Sequence, residues 1–504
     1  MNLKLRSLVA ACSLACASTS AFAGALPDSQ LDNDWYQLGE QLIEQKTLQS
    51  RNTNTAKNVI LFVGDGMGIS TLTAARILQG QLKGDTGEEG FLSFEKFPHT
   101  ALVKTYNTDQ QTPDSAGTMT AMMTGVKNRA GVIGLGPMAV RGECDEDVEG
   151  NKLTSALTLA ERKGKATGVV STARITHATP AATYSVSPDR DWEDDTKLPE
   201  EGNCTDIASQ LINYSEGNGI EVALGGGRRH FQSEANGGRR EDTDLTEQWL
   251  DDAGDETRTY VTNKTELDNA DLANTDKLLG LFTSSHMSYE ADRDDAEEPS
   301  LAEMTETALD VLKKDEDGFF LMVEGGRIDH GHHAGNAYRA LTDAHAFADA
   351  VQTALDNTSR DDTLIIVTAD HSHVFTIAGY PKRGNPILGK VVQIDDTEAT
   401  DADGLPYTTV GYMNGRGFAD LETGGDDRYD TPAVSGRQDL TAIDTEGQGF
   451  HQEALVPLSS ETHAGEDISV HAIGPGSHLF GGVIEQNEIF HVINEAADLD
   501  GGSY

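Results

Sequence analysis

The chain has 504 residues, enough for one very large core or two ordinary ones, and 37% of them are hydrophobic. Its formal charge of −45 excludes a protein that coats nucleic acid, because such proteins need a basic surface. Beyond the first residues, no apolar run reaches the length of a membrane span.

The N-terminus reads as a leader. Lys4 and Arg6 precede the apolar stretch 8–17, and Ala21-Phe22-Ala23 fits a signal-peptidase site. A signal peptide is therefore expected over 1–23, placing the mature chain, 24–504, in the periplasm or outside the cell. Cys12 and Cys16 fall within the leader. Cys144 and Cys204 remain, and an even pair in an exported protein predicts one disulfide, with two unrelated thiols as the alternative.

Strand-length apolar runs at 58–63, 167–171, 220–224, 319–323, 363–367 and 468–473 alternate with helical patterns at 71–82, 118–123, 206–214, 301–312 and 337–355. This predicts an α/β fold: a large, mostly parallel central sheet with helices on both faces. Ligands of such sheets collect at the carboxyl ends of the strands. The segment 378–460 differs, being rich in Gly, Asp and Thr with scattered turn dipeptides. It reads as an inserted subdomain of short antiparallel strands. Its length and its aromatics argue against a disordered linker. Acidic runs at 191–195, 292–298 and 395–403 lie in loop-like stretches. Self-repulsion on this scale is better tolerated where salt screens it, so a salt-adapted source is expected.

The polar clusters fall beside the strands. Asp65 follows the first strand, in Gly64-Asp65-Gly66-Met67-Gly68. His177 and Thr179 follow the strand at 167–171. Glu324, Asp329, His330, His332 and His333 follow the strand at 319–323, Asp370 and His371 follow that at 363–367, and His463 shortly precedes that at 468–473. Each alone is weak evidence, since an Asp after a strand is usually a cap or turn residue. Together, carboxylates and imidazoles on one rim suit zinc and similar divalent ions, and their number fits at least two. Asp329 and His333 are spaced i, i+4 and share a helix face, whereas His332 reads as structural. Thr112-Pro113-Asp114-Ser115 turns into a helix. Asp114 or Ser115 reads first as its N-cap, yet Ser115 also sits where backbone amides favour an anion, so it is a candidate nucleophile. The run Gly225-Gly226-Gly227-Arg228-Arg229 lacks the Lys and Ser/Thr of a nucleotide loop and reads as a tight strand exit.

Taken together, these segments resemble the alkaline phosphatase family over roughly 57–480. The resemblance rests on Gly64 to Gly68, Pro113-Asp114-Ser115-Ala116-Gly117, Val323-Glu324-Gly325-Gly326-Arg327-Ile328-Asp329, Thr368-Ala369-Asp370-His371 and Glu461-Thr462-His463-Ala464-Gly465, in family order. It implies hydrolysis of small-molecule phosphate monoesters through a phosphoserine at Ser115, with two zinc ions and one magnesium. Asp329, His333 and His463 would hold one zinc. Asp65, Asp370 and His371 would hold the other, and Asp65, Thr179 and Glu324 the magnesium. Arg190 matches the phosphate-gripping arginine. His177 and His330, found in animal-type members where the enterobacterial ones have Asp and Lys, would bind on the substrate side. The resemblance also implies pairing of Cys144 with Cys204, a crown-like role for 378–460, and a homodimer. Thr283 stands where animal-type members carry a calcium-ligating Glu, which argues against calcium there. A phosphodiesterase, a sulfatase-like hydrolase and a non-enzymatic metal- or phosphate-binding protein are alternatives, disfavoured by the joint presence of Glu324 and Ser115.

Overall fold

In the computed structural model, residues 26–144, 150–241, 243–417 and 437–501 are described. The expected signal peptide lies outside them, as does part of 378–460. The chain divides into two units, Met1–Ser50 and Arg51–Tyr504. Within the first, Asn33 caps a helix, Asp34–Thr47, by accepting from the Trp35 amide at 3.0 Å. That helix exposes Trp35, Leu38 and Ile43.

The second unit is built on a ten-stranded sheet. Its strands are β1 (Asn58–Gly64), β2 (His99–Lys104), β3 (Ala166–Arg174), β4 (Val222–Gly226), β5 (Arg258–Val261), β6 (Lys277–Leu281), β7 (Phe319–Gly325) and β8 (Thr363–Ala369), with two more near the C-terminus. Between these lie the short strands β9 (Ser372–His373), β10 (Phe375–Ile377), β11 (Val410–Gly415), β12 (Ala454–Pro457) and β13 (His463–Ala464). The last two strands of the large sheet are β14 (Ile468–Ile473) and β15 (Val483–Glu485). The order is β15-β2-β14-β8-β1-β7-β3-β4-β6-β5. From β8 to β5 every neighbour is parallel, as the unbroken apolar runs require of strands buried on both faces. Only β14 is reversed, antiparallel to both β8 and β2. Its amino end therefore lies at the rim where its neighbours have their carboxyl ends, which is why His463 precedes its strand while the other clusters follow theirs.

Helices Ile69–Leu82, Leu301–Leu312 and Ala337–Asn357 pack together, and Ser115–Thr124, Ala156–Arg162, Ala178–Tyr184 and Glu488–Ala497 form another group. Helix Leu301–Leu312 shows why such segments are helical. Ser300 and Glu303 form a reciprocal capping box, and Leu301, Met304, Thr305, Ala308, Leu309 and Leu312 bury one face. In the long helix, Phe347 meets Phe62 of β1 edge-on at 5.8 Å, tying helix to sheet.

The described part of 378–460 contains short antiparallel bridges at Lys390–Thr408, Val392–Glu398 and Thr400–Pro406. One expectation needs correction: β11 pairs antiparallel with β10 but parallel with β12. The 38 residues between these two strands, 416–453, allow the chain to return in the same direction, which a tight hairpin does not. Cys144 and Cys204 form a disulfide, with Cα atoms 5.8 Å apart. Among the described residues, no helix is long and apolar enough to cross a membrane.

Candidate active site

Register places the first residues of the site. Gly64 of β1 lies between Gly325 of β7 and Ala369 of β8, so Asp65 and Asp370 leave the sheet side by side. Glu324 sits opposite Ser171 of β3 and receives a hydrogen bond from its hydroxyl. All three carboxylates are fully buried. Among the described residues, both Asp65 oxygens, Glu324 Oε1 and Thr179 Oγ1 have no hydrogen-bond partner. Asp370 Oδ1 accepts from the Gly66 and His371 amides, each at 2.9 Å. Gly66 is required here: its φ is +66°, and a Cβ would come within 2.3 Å of His373 Nε2.

Burial, reinforced by the neighbouring carboxylates, raises Asp65 well above the ordinary range and also raises Asp370. Burial pushes Glu324 up to about 7. Asp329 behaves oppositely. Burial acts to raise it, but His333, His373 and His463 outweigh that and hold it well below the usual range.

Ser115 opens its helix under an Asp114 cap, with Asp114 Oδ1 accepting from the Gly117 amide at 3.1 Å. Ser115 Oγ lies 3.2 Å from His371 Nε2, which in turn is 3.4 Å from Asp65 Oδ1 and 3.3 Å from Asp370 Oδ2. His371 stacks on His463 with centroids 3.6 Å apart. His463 arrives on the ribbon β9–β13, where it pairs with His373.

The second cluster is made of imidazoles around Asp329. His333 Nδ1 faces the Glu461 carbonyl at 2.7 Å, and His463 Nδ1 faces the Pro113 carbonyl at 2.8 Å. In the neutral ring each Nδ1 therefore carries the proton, which leaves the lone pair on Nε2. Those two Nε2 atoms are 3.1 Å apart, and 3.3 and 3.4 Å from Asp329 Oδ1. Lone pairs and a carboxylate facing one another so closely repel unless a cation lies between them.

Arg190 NH1 is 3.1 Å from Asp114 Oδ2 and its NH2 is 3.1 Å from His177 Nε2. His330 lies beside His286 with ring centroids 4.1 Å apart and planes tilted by 55°, and His177 lies within 5.6 Å of both rings. Burial lowers the pKa of His177 and His330 well below the ordinary value, and Arg190 adds to this for His177. His332 stands apart: its nitrogens bond to Tyr412 and Thr71 at 2.8 and 2.9 Å.

A family model for alkaline phosphatase matches residues 56–499. The chain belongs to the alkaline phosphatase family. It is 45% identical to the tissue-nonspecific isozyme of Gallus gallus, covering 94% of this chain and 91% of that one. Against the Homo sapiens isozyme the identity is 43%, with 94% and 90% covered. Among solved structures it is similar to the alkaline phosphatase of the Antarctic bacterium TAB5, with 25% identity, 88% and 99% coverage and a TM-score of 0.60. The Thermus thermophilus enzyme shares the fold at a TM-score of 0.65. The protein is thus a phosphoric monoester hydrolase of a metal-dependent family.

Several residues of this phosphatase's rim escaped the sequence reading as site residues. His373 bridges Asp329 and Glu461 at 2.8 and 2.6 Å; burial disfavours its charge, but the two carboxylates push its pKa up to about 10. The spacing Asp370-His371-Ser372-His373 was the available signal, since i and i+2 share a face in an extended chain. His286 carried no signal, because it lies in a loop far along the chain. Near it, Glu298 accepts from the Ser288 amide and hydroxyl at 2.9 and 2.7 Å, and Thr283 donates to the Ser285 carbonyl. The run 225–227 forms the exit of β4, with the Gly227 amide bonded to the Ser285 carbonyl at 2.7 Å.

Proposed function

We propose that this alkaline phosphatase hydrolyses monoesters through a phosphoserine at Ser115, supported by two zinc ions and one magnesium. Asp329, His333 and His463 would hold one zinc, and Asp65, Asp370 and His371 the other. Asp65, Thr179 and Glu324 would hold magnesium. The observation that carries this reading is the 3.1 Å approach of the His333 and His463 Nε2 atoms. The unpartnered oxygens of Asp65, Glu324 and Thr179 support the remaining assignments.

When bound, such ions lower the pKa of a hydroxyl or water and offset the charge of phosphate. The chain's residues supply the rest. Asp114 and His177 hold Arg190, whose planar fork suits two phosphate oxygens, and His330 would contact the phosphate through water. Ser115 Oγ forms its bond to phosphorus as the ester oxygen leaves with the alcohol. Water then attacks the phosphoserine, the Oγ–P bond breaks, and inorganic phosphate departs while Ser115 regains its proton. The leader at 1–23 supports a periplasmic or secreted location. The exposed Met413, Leu455, Val456 and Leu458 on β11–β12 and just beyond support a crown-like role for 378–460 in a homodimer.

Ser115→Ala is expected to lower kcat by at least ~10²-fold while bound zinc and magnesium stay unchanged. Acid-quenched wild type should carry phosphate on the peptide containing Ser115. Full turnover in the variant would refute the assignment.

A further inference from the structure

Asp114 does more than cap a helix. Its Oδ1 accepts from Gly117, and its Oδ2 accepts from the Gly131 amide at 2.9 Å and from Arg190. The Arg190 amide in turn donates to the Gly131 carbonyl at 2.9 Å. One carboxylate therefore links the start of the Ser115 helix to both the side chain and the backbone anchor of Arg190. Such a hub works only if the carboxylate cannot rotate, since any turn about its χ angles moves nucleophile and clamp out of step.

Besides Gly117, Gly131 and Arg190, a fourth donor restrains this rotation, the side-chain amide of Asn107. It is buried, and its Nδ2 donates to Asp114 Oδ1 at 2.9 Å. The amide cannot be flipped, because a carbonyl oxygen facing a carboxylate would repel it. Its plane lies flat against Gly117: a Cβ there would fall 2.7 Å from Nδ2 and 2.8 Å from Cγ. Gly117 thus gives Asn107 room to reach beneath the first turn of the Ser115 helix. Asn107 is itself fixed, its amide donating to the Gln110 carbonyl at 3.1 Å. The next residue, Thr108, bonds through its amide to the Asn128 carbonyl at 2.9 Å, just before the loop that carries Gly131. Neither backbone bond depends on the Asn107 side chain. The amide is therefore free to serve Asp114, and its Oδ1 has no partner of its own.

We propose that Asn107 is a positioning residue for phosphate binding, acting through Asp114 on Arg190 and on the Ser115 helix. It touches neither substrate nor any group proposed to hold metal. The role presupposes Arg190 as the phosphate-binding group proposed above.

The experiment measures inhibition by inorganic phosphate in the metal-loaded enzyme, for Asn107→Leu, Arg190→Ala and the double variant. Losing a hydrogen bond to a charged acceptor should weaken phosphate inhibition about tenfold in Asn107→Leu and lower kcat/KM. In the Arg190→Ala background the same substitution should change the phosphate constant less than about twofold, because the route to phosphate is already gone. An equal effect in both backgrounds, or no effect beside intact Arg190, overturns the role of Asn107. If Arg190→Ala alone leaves phosphate inhibition unchanged, the reading of Arg190 fails instead. Asn107→Ser, which removes the amide donor and leaves only a shorter hydroxyl, provides the same measurement should the leucine variant not fold.

Discussion

Asp65 carries the largest unresolved electrostatic burden of any single residue in the site. Its two oxygens are buried without a partner, and Asp370, Asp329 and Glu324 surround it. Burying an unpaired carboxylate costs several kcal/mol, so the metal-free protein is strained at this point. Asp65→Asn should therefore act in opposite directions in two states. In protein stripped of metal it should raise the unfolding free energy by about 1–3 kcal/mol, read as a higher Tm. In metal-loaded protein it should lower both metal content and turnover. A lower Tm in the stripped protein would show that Asp65 is satisfied by the chain itself.

At the scale of elements, β3 and β4 are joined at their amino ends by a second acidic pair, far along the strands from the catalytic rim. Glu221 Oε2 accepts from the Thr167 amide at 2.6 Å, and Glu161 accepts from the Thr167 hydroxyl. Burial pushes Glu161 up to about 7 and Glu221 up to about 8, with Lys277 only partly offsetting it. In the unfolded chain both titrate near 4.5. Between about pH 4.5 and 8 the folded state therefore holds protons that the unfolded state has lost, and stability falls as pH rises through that window. The loss is on the order of a few kcal/mol. Glu221→Gln keeps an acceptor for Thr167 and should flatten the decline, measured as unfolding free energy by denaturant titration at pH 5, 6.5 and 8. A slope as steep as that of the wild type would exclude this pair as its source.

For the whole molecule, charge dominates. With 83 acidic and 38 basic residues, the folded chain works against its own repulsion. Screening shortens that repulsion to about 3 Å at 1 M salt, while the buried carboxylates of the rim are screened much less. Raising NaCl from 0.05 to 1 M should therefore raise Tm by several degrees. A Tm indifferent to salt would remove the case for a salt-adapted source.

The sequence by itself determined the alternating strands and helices, the mostly parallel sheet and the placement of the candidate site residues beside strands. These follow from local periodicity: Phe319 to Val323 is an unbroken apolar run, and Glu324, the next residue of the same strand, is the first charged one. Short elements were less legible. Strand β6, Lys277–Leu281, begins on a lysine and is broken by Gly280, so it lacks the continuous apolar run that marked the other short strands. The reversal of β14 was equally hidden, since a strand's direction is set by its partners and not by its own residues. Partnership was decided only by the tertiary structure. Asp114 reads locally as a cap, and only folding brings Gly131, Arg190 and Asn107 to its carboxylate. His286, His373 and Glu461 joined the site in the same way. Hydrogen bonds and charge repulsion act over a few ångströms of space, so residues hundreds of positions apart acquire their chemistry only when the sheet sets them on one rim.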